Sequence, residues 1–169
     1  MNKILTICFL IVVSLCSQSC GVYSFSGASI PDNVKTFQVN FFRNNAQIIE
    51  PGLDRDFTQA LQDLIMNQTS LDLTNQGGDL IYEGEIVEYY VAPMSATAQN
   101  TAAENRLTIA VNVRFYDTKN EGNDIEQRFS FYYDYSGSAQ LVGSQLDDAV
   151  NVIFERITQD IFNTTLAKW

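Results

Sequence analysis

The sequence predicts an α+β fold: a two-layer sandwich with two helices packed on one face of a mixed four- to five-stranded sheet. Three observations predict it. Leu53, Phe57, Ala60, Leu61, Leu64 and Ile65 recur at helical spacing, and so do Leu146, Val150, Ile153, Phe154, Ile157 and Ile161. Between these stripes Leu107, Ile109, Val111, Val113 and Phe115 alternate with Thr108, Ala110, Asn112, Arg114 and Tyr116, the period of a half-buried strand. Two apolar stripes need a surface to bury against, and alternating strands supply one.

Residues 1–19 read as a lipoprotein signal peptide, outside the fold. Lys3 precedes an almost unbroken apolar run from Ile4 to Leu15. That run is too short for a bilayer of ~30 Å, which needs about 20 residues, and fits a secretory signal. Ser17-Gln18-Ser19 leads to Cys20, although Ser17 stands where a typical lipobox has Leu. Cleavage there leaves a terminal cysteine whose thiol is the predicted site of lipidation. An ordinary cleavage site that happens to lie beside a cysteine is the alternative. Residues 20–31, small, polar and aromatic, read as a lipidated tether, and 32–169 as one α+β domain.

Within that domain Val34 to Asn40 is β-branched and aromatic, a first strand. Glu50-Pro51-Gly52 punctuates, and the first helix follows, with Asp54 and Asp56 suited to the positive end of its dipole. Leu71 to Thr74 is a short apolar-alternating piece, stopped by the turn signal Asn75-Gln76-Gly77-Gly78-Asp79. Leu80 to Val91 predicts a strand whose faces are blurred, because Glu83, Glu85 and Glu88 interrupt both. Ala92 to Glu104 is predicted to be a loop. After the alternating strand, Asp117 to Asp124 is a polar hairpin connection. Its partner strand puts Ile125, Phe129, Phe131, Tyr133 and Tyr135 on one face, with Glu126, Arg128, Ser130, Tyr132 and Asp134 on the other. Ser144 is the expected N-cap of the last helix.

Composition narrows the function. The chain has 169 residues and a net charge of −10. All 20 acidic but nine of the ten basic residues follow residue 19, so the segment after the signal carries −11. Such a surface excludes a nucleic-acid partner, whose phosphates need Lys and Arg, and opposes broad attachment to anionic lipid. Cys8 and Cys16 fall in the signal, which leaves Cys20 alone and no disulfide to form. There is no histidine. Zinc and Cys–His chemistry are thereby excluded, no cofactor is expected, and the chain does not read as an enzyme.

Several groups invite a chemical reading. Glu83 and Glu85 share a strand face, the geometry of an acid–base pair, but a solvated face of an acidic protein is the better account. Asp117, Asn120 and Glu121 lack the ligand spacing of a calcium loop and fit a turn. Arg106, at a loop–strand junction, is suited to bidentate recognition of a phosphate or carboxylate, or equally to pairing with a surface acid. The rings of Tyr89, Tyr90 and Phe131 to Tyr135 alternate across strands, so half of them face away from the helices. Exposed tyrosines mark protein interfaces, and cross-strand aromatic pairing is the competing account. Arg106, Arg114, Arg128, Tyr116 and Tyr132 are therefore the candidate partner or ligand contacts, with no catalytic and no metal-binding residue.

The chain resembles the lipopolysaccharide-assembly lipoproteins of the LptE family, in their Bacteroidetes-type form. The similarity runs through Cys20-Gly21-Val22-Tyr23-Ser24-Phe25-Ser26-Gly27 and Ile30 to Thr36. It continues in Gly78-Asp79-Leu80 ahead of Glu83-Gly84-Glu85-Ile86, in Asn105-Arg106-Leu107-Thr108-Ile109 and in Asp160-Ile161-Phe162-Asn163. The resemblance implies an outer-membrane lipoprotein that plugs an LptD-type β-barrel, is its assembly partner and helps lipopolysaccharide reach the outer leaflet. It leaves open whether the chain contacts lipopolysaccharide directly. The basic residues implicated in that contact in proteobacterial members do not map onto this acidic chain. Gly21 in place of Asp implies outer-membrane sorting, and the acid-free stretch Gly21 to Ile30 favours the periplasmic face. A periplasmic lipid-anchored binding module for another envelope ligand is the alternative function.

Overall fold

The computed structural model describes residues 28–94, 104–137 and 140–167. The signal segment, Cys20, most of the tether and the centre of the loop after Met94 lie outside the described residues. In chain order the elements are β1 (Thr36–Val39), β2 (Arg43–Asn44), α1 (Leu53–Gln68), β3 (Asp72–Leu73), β4 (Leu80–Met94) and β5 (Glu104–Asp117). A 3₁₀ turn (Glu121–Asn123), β6 (Ile125–Ser136) and α2 (Ser144–Thr165) complete them.

The α+β expectation holds, with six strands among the described residues in place of four or five. Strand order is β3-β1-β4-β5-β6, and β2 follows β1 along the same edge of β4. β1 and β2 run parallel to β4, whereas β4, β5 and β6 form an antiparallel meander. β2 escaped the sequence reading because Arg43-Asn44 is too short to alternate. β4 and β5 also extend further than expected, to Met94 and from Glu104, so the predicted loop beginning at Ala92 is shortened from both ends.

Both helices cover one face. Leu53, Phe57, Leu61 and Ile65 bury the α1 stripe, and Val150, Ile153, Phe154, Ile157 and Ile161 that of α2. Phe57 is the hinge pin between layers: its ring meets Phe42 and Phe154, each at 5.1 Å between centroids and edge-on. The Phe42 amide donates to Thr58 Oγ1 at 3.1 Å, which fixes the β1–β2 connection to α1. Gly52, at φ 87°, turns the chain into α1 through a backbone conformation that a side chain disfavours. Ser144 is not an N-cap; it is the first residue of α2, preceded by Gly143, and no side chain among the described residues caps the helix. Asp147 N–H instead donates to the Gly143 carbonyl at 3.0 Å.

At the end of the sheet nearest the tether, Asp79 gathers three segments. One carboxylate oxygen accepts from the amides of Lys35 (2.8 Å) and Thr36 (3.1 Å), and the other pairs with Lys119 Nζ at 2.8 Å. The Asp79 carbonyl accepts from Thr118 N–H and Oγ1, both at 2.9 Å. β1, β4 and the β5–β6 turn are thus joined at one acidic residue.

Candidate functional site: the outer face of the sheet

One irregularity decides what the uncovered face presents. The β4–β5 register runs without a break to Ile86 opposite Val111 and resumes at Glu88 opposite Ala110, leaving Val87 as a bulge. A bulge shifts the alternation of every later residue. Before it, Leu80, Tyr82 and Ile86 point into the core and Glu83 and Glu85 point out. After it, Tyr89 and Val91 lie opposite buried Ile109 and Leu107, so Glu88 and Tyr90 point out. All three glutamates therefore share the outer face, and the faces that looked blurred in sequence are distinct.

The five candidate contact residues share that face too. Arg114 lies opposite Glu83 and Glu126, Arg128 opposite Asn112, Tyr132 opposite Thr108, and Arg106 opposite Ala92 and Asp134. Each arginine is engaged by carboxylate. Arg114 Nε lies 3.1 Å from Glu83 and Nη2 lies 3.4 Å from Glu85. Arg128 pairs with Glu88. Arg106 makes a two-pronged contact with Asp134, at 2.7 and 2.8 Å, while its guanidinium carbon sits 3.6 Å above the Tyr132 ring. The Arg106 hydrogen bond holds the Asp134 carboxyl below its usual range. Of the two uses open to Arg106, pairing with a surface acid is the one present. Tyr116 is on the same face but stands opposite Ile81, ten residues along β5 from Arg106, or roughly 33 Å.

This arrangement is poorly suited to binding phosphate. Among the described residues, Lys35 and Arg43 are the cations without a carboxylate ion pair; Arg43 stands opposite Glu85 and lines a hollow of about 230 Å³ with Glu83, Glu85 and Arg114, so its nearest neighbours there are acids. The face offers fixed, alternating charges and exposed rings, the mixture found where proteins meet. Tyr90 and Tyr132 flank Thr108 and are 52 % and 44 % exposed.

Sequence reasoning missed an apolar group at the far end of β4. Ile48 and Ile49 are exposed, and Ile48 lines a shallow hollow of about 260 Å³ with Val87, Glu88, Tyr90 and Arg128. Val91 and Met94 add exposed apolar surface further along the strand. Ile48 and Ile49 carry no periodicity, and the pairing of β2 with β4 brings Ile48 beside Tyr90. A second cavity of about 250 Å³, lined by Ile30, Pro31, Val34, Leu80, Phe115 and Leu166, lies at the opposite end, where the tether arrives. Among the described residues no group of His, Cys, Asp or Glu could hold a metal ion, and no helix is long and apolar enough to cross a membrane.

The family model described as "LptE: Lipopolysaccharide-assembly" matches residues 34–165. No curated protein matches the chain. Solved structures similar to it include the PelC dodecamer from Paraburkholderia phytofirmans, at 8 % identity over 83 % of this chain and 95 % of that one, with a TM-score of 0.48. The rare lipoprotein B from Shewanella oneidensis is 10 % identical over 75 % and 89 % of the two chains, with a TM-score of 0.46. A hypothetical protein from Chlamydia trachomatis is 12 % identical over 80 % and 99 %, with a TM-score of 0.49. At such identities and TM-scores nothing about function follows from these three.

Proposed function

This chain belongs to the LptE family of lipopolysaccharide assembly, and from that premise we propose that it is a lipid-anchored plug and assembly partner of an LptD-type outer-membrane β-barrel. The family match over residues 34–165 carries the reading. Cys20 holds the lipid, the chain sits on the periplasmic face of the outer membrane, and its work is to help the barrel deliver lipopolysaccharide to the outer leaflet.

The geometry supports docking by protein contact. The tether arrives beside Leu80 and Leu166, since Ser29 N–H donates to the Leu166 carbonyl at 2.8 Å. β4 then runs 15 residues away from that end, roughly 45 Å, passing exposed Tyr90, with Ile48 beside it, and ending at exposed Met94. The apolar group is thus held away from the anchor, flanked by the outer sheet face, where a partner can reach it. Arg106, Arg114, Arg128, Tyr116 and Tyr132 are assigned to partner contact on that face. Their carboxylate pairing makes direct phosphate recognition the lesser role.

Affinity isolation of the tagged protein from membranes tests the assignment. A stoichiometric large β-barrel is expected, and recovery of none overturns it. Depletion gives an independent reading: lipopolysaccharide accumulating in the periplasm supports the assignment, whereas an intact surface favours a binding module for another envelope ligand.

A further inference from the structure

Among the described residues β6 is a long, free sheet edge: its 12 residues pair with β5 in unbroken register, and no described strand lies on its other side. Beyond the β5 ladder, its backbone makes no hydrogen bond among the described residues. Edges of this kind are normally blunted by shortness, Pro, Lys or a bulge. β6 has none of these, its charge being confined to Glu126, Arg128 and Asp134 on the outer face, whereas the opposite edge, β3, is two residues long. The core also stops short here. Phe131, Tyr133 and Tyr135 pack against it but are only partly buried. Arg156 of α2 reaches over the Phe131 ring at 5.7 Å, and Val152, one turn earlier on that flank, is 44 % exposed.

We propose that β6 pairs antiparallel with β6 of a second copy about a two-fold axis at Phe131, joining two sheets into one. The inference does not rest on the barrel reading. Charge selects both the occupant and the register. A two-fold antiparallel pairing sets each residue opposite one of its own face, so the axis must fall on a residue. With the axis at Phe131, Arg128 faces Asp134 of the second copy at both ends of the contact, so that the Glu88–Arg128 and Asp134–Arg106 pairs within each chain extend into one row of alternating charge across the axis. Ser130 then faces Tyr132, and Phe129 faces Tyr133 on the helix side. With the axis at Ser130, Glu126 would meet Asp134, a like-charge pair; at Tyr132, no opposite charges meet. A strand that is its own complement over most of its length fits a second copy better than a foreign segment. The pairing would also cover the half-buried rings and bring the two Val152 flanks together.

Sedimentation of the full-length protein in detergent across a range of concentrations tests this. A monomer–dimer equilibrium is expected. Arg128→Asp alone and Asp134→Arg alone should each weaken the dimer at least tenfold, and the two together should restore it. Within one chain, Glu88 and Arg106 are left facing like charge in the double variant as well, so restoration reads the contact across the axis alone. Circular dichroism confirms that each variant is folded. A protein that is monomeric throughout, a dimer indifferent to the single reversals, or a double variant as weak as the singles overturns the proposal. So does a protein whose single reversals release the barrel without changing self-association, which would give the edge to the barrel.

Discussion

The Tyr82 hydroxyl lies 3.0 Å from Thr165 Oγ1, with both groups buried between β4 and the last turn of α2. Proton counting settles its direction. Thr165 already donates its hydroxyl proton to the Ile161 carbonyl at 2.8 Å, so Tyr82 is the donor. The pair ties the C-terminal helix to the sheet 83 residues away in sequence. It also makes the two truncations unequal. Tyr82→Phe removes a donor and leaves Thr165 bonded to Ile161, a loss of about 1 kcal/mol. Thr165→Val leaves the Tyr82 O–H buried without an acceptor and should cost more, about 2 kcal/mol. The double variant should be less destabilised than the sum of the singles. Urea unfolding of the three variants checks the order.

Gly84 is required by close approach. A Cβ there would stand 2.0 Å from the Asn112 carbonyl oxygen and 2.7 Å from the Phe42 ring. Neither can yield: one belongs to the β4–β5 ladder and the other is wedged against Phe57. Gly84→Ala should therefore destabilise by about 3 kcal/mol. Gly52→Ala, strained at φ 87° but with no neighbour closer than 3.5 Å, should cost only about 1 kcal/mol. Thermal melts of the two variants should differ in that order.

Asp79 gives the protein a specific acid sensitivity. Lys119, then the Lys35 and Thr36 amides, hold its carboxyl far below the usual carboxylate range. A depressed carboxyl adds stability that is fully present above the unfolded value and is lost as pH falls toward the folded one. The loss should begin below about pH 4 and continue to the most acidic conditions reached. Protonating the many other acids relieves repulsion at the same time, so the comparison must be with Asp79→Asn. That variant should be less stable at pH 7, and the gap should close as the pH falls from 4 to 2. A gap that stays constant would show that the ionisation of Asp79 contributes nothing specific.

Much of this fold was legible because its long elements are strongly periodic: Leu107 to Phe115 alternates cleanly, and the stripes of α1 and α2 do not break. What failed depended on contacts distant in sequence. Arg43-Asn44 becomes a strand only because β4 offers an edge. The three glutamates of β4 looked scattered because alternation cannot be followed through a bulge at Val87, and nothing in Ile86-Val87-Glu88 announces one. The site was half legible. Strand alternation placed Arg114, Arg128, Tyr116 and Tyr132 on the open face, but not the carboxylates that engage the arginines. Asp134 lies 28 residues from Arg106 and Glu88 lies 40 from Arg128, separations set by the lengths of the hairpins rather than by any local signal.

Cys20→Ser should separate anchoring from folding. No disulfide is lost, so the domain should melt as before. Each buried methylene of an acyl chain contributes ~0.8 kcal/mol, and stable attachment takes about two chains. In cells without the barrel, the variant should therefore fractionate as a soluble protein. Firm membrane retention under those conditions would show that another segment holds it.

The outer face offers a test in which docking and stability should part. Arg106, Tyr132 and Asp134 are partly or largely exposed, so their mutual contacts are screened by water and add little to folding. If they present a fixed surface to a partner, their value lies in shape: the fork of Arg106 is held by both Asp134 oxygens while its plane lies on the Tyr132 ring. Lysine keeps the charge and loses both the fork and the stacking plane. Arg106→Lys and Tyr132→Ala should thus leave the melting temperature nearly unchanged and lower barrel recovery in affinity isolation. Phe57→Ala, which empties the core, should lower both together. If Arg106→Lys and Tyr132→Ala recover as much barrel as the unaltered chain, the docking surface lies elsewhere, and the apolar tip around Ile48, Ile49 and Tyr90 becomes the next place to look.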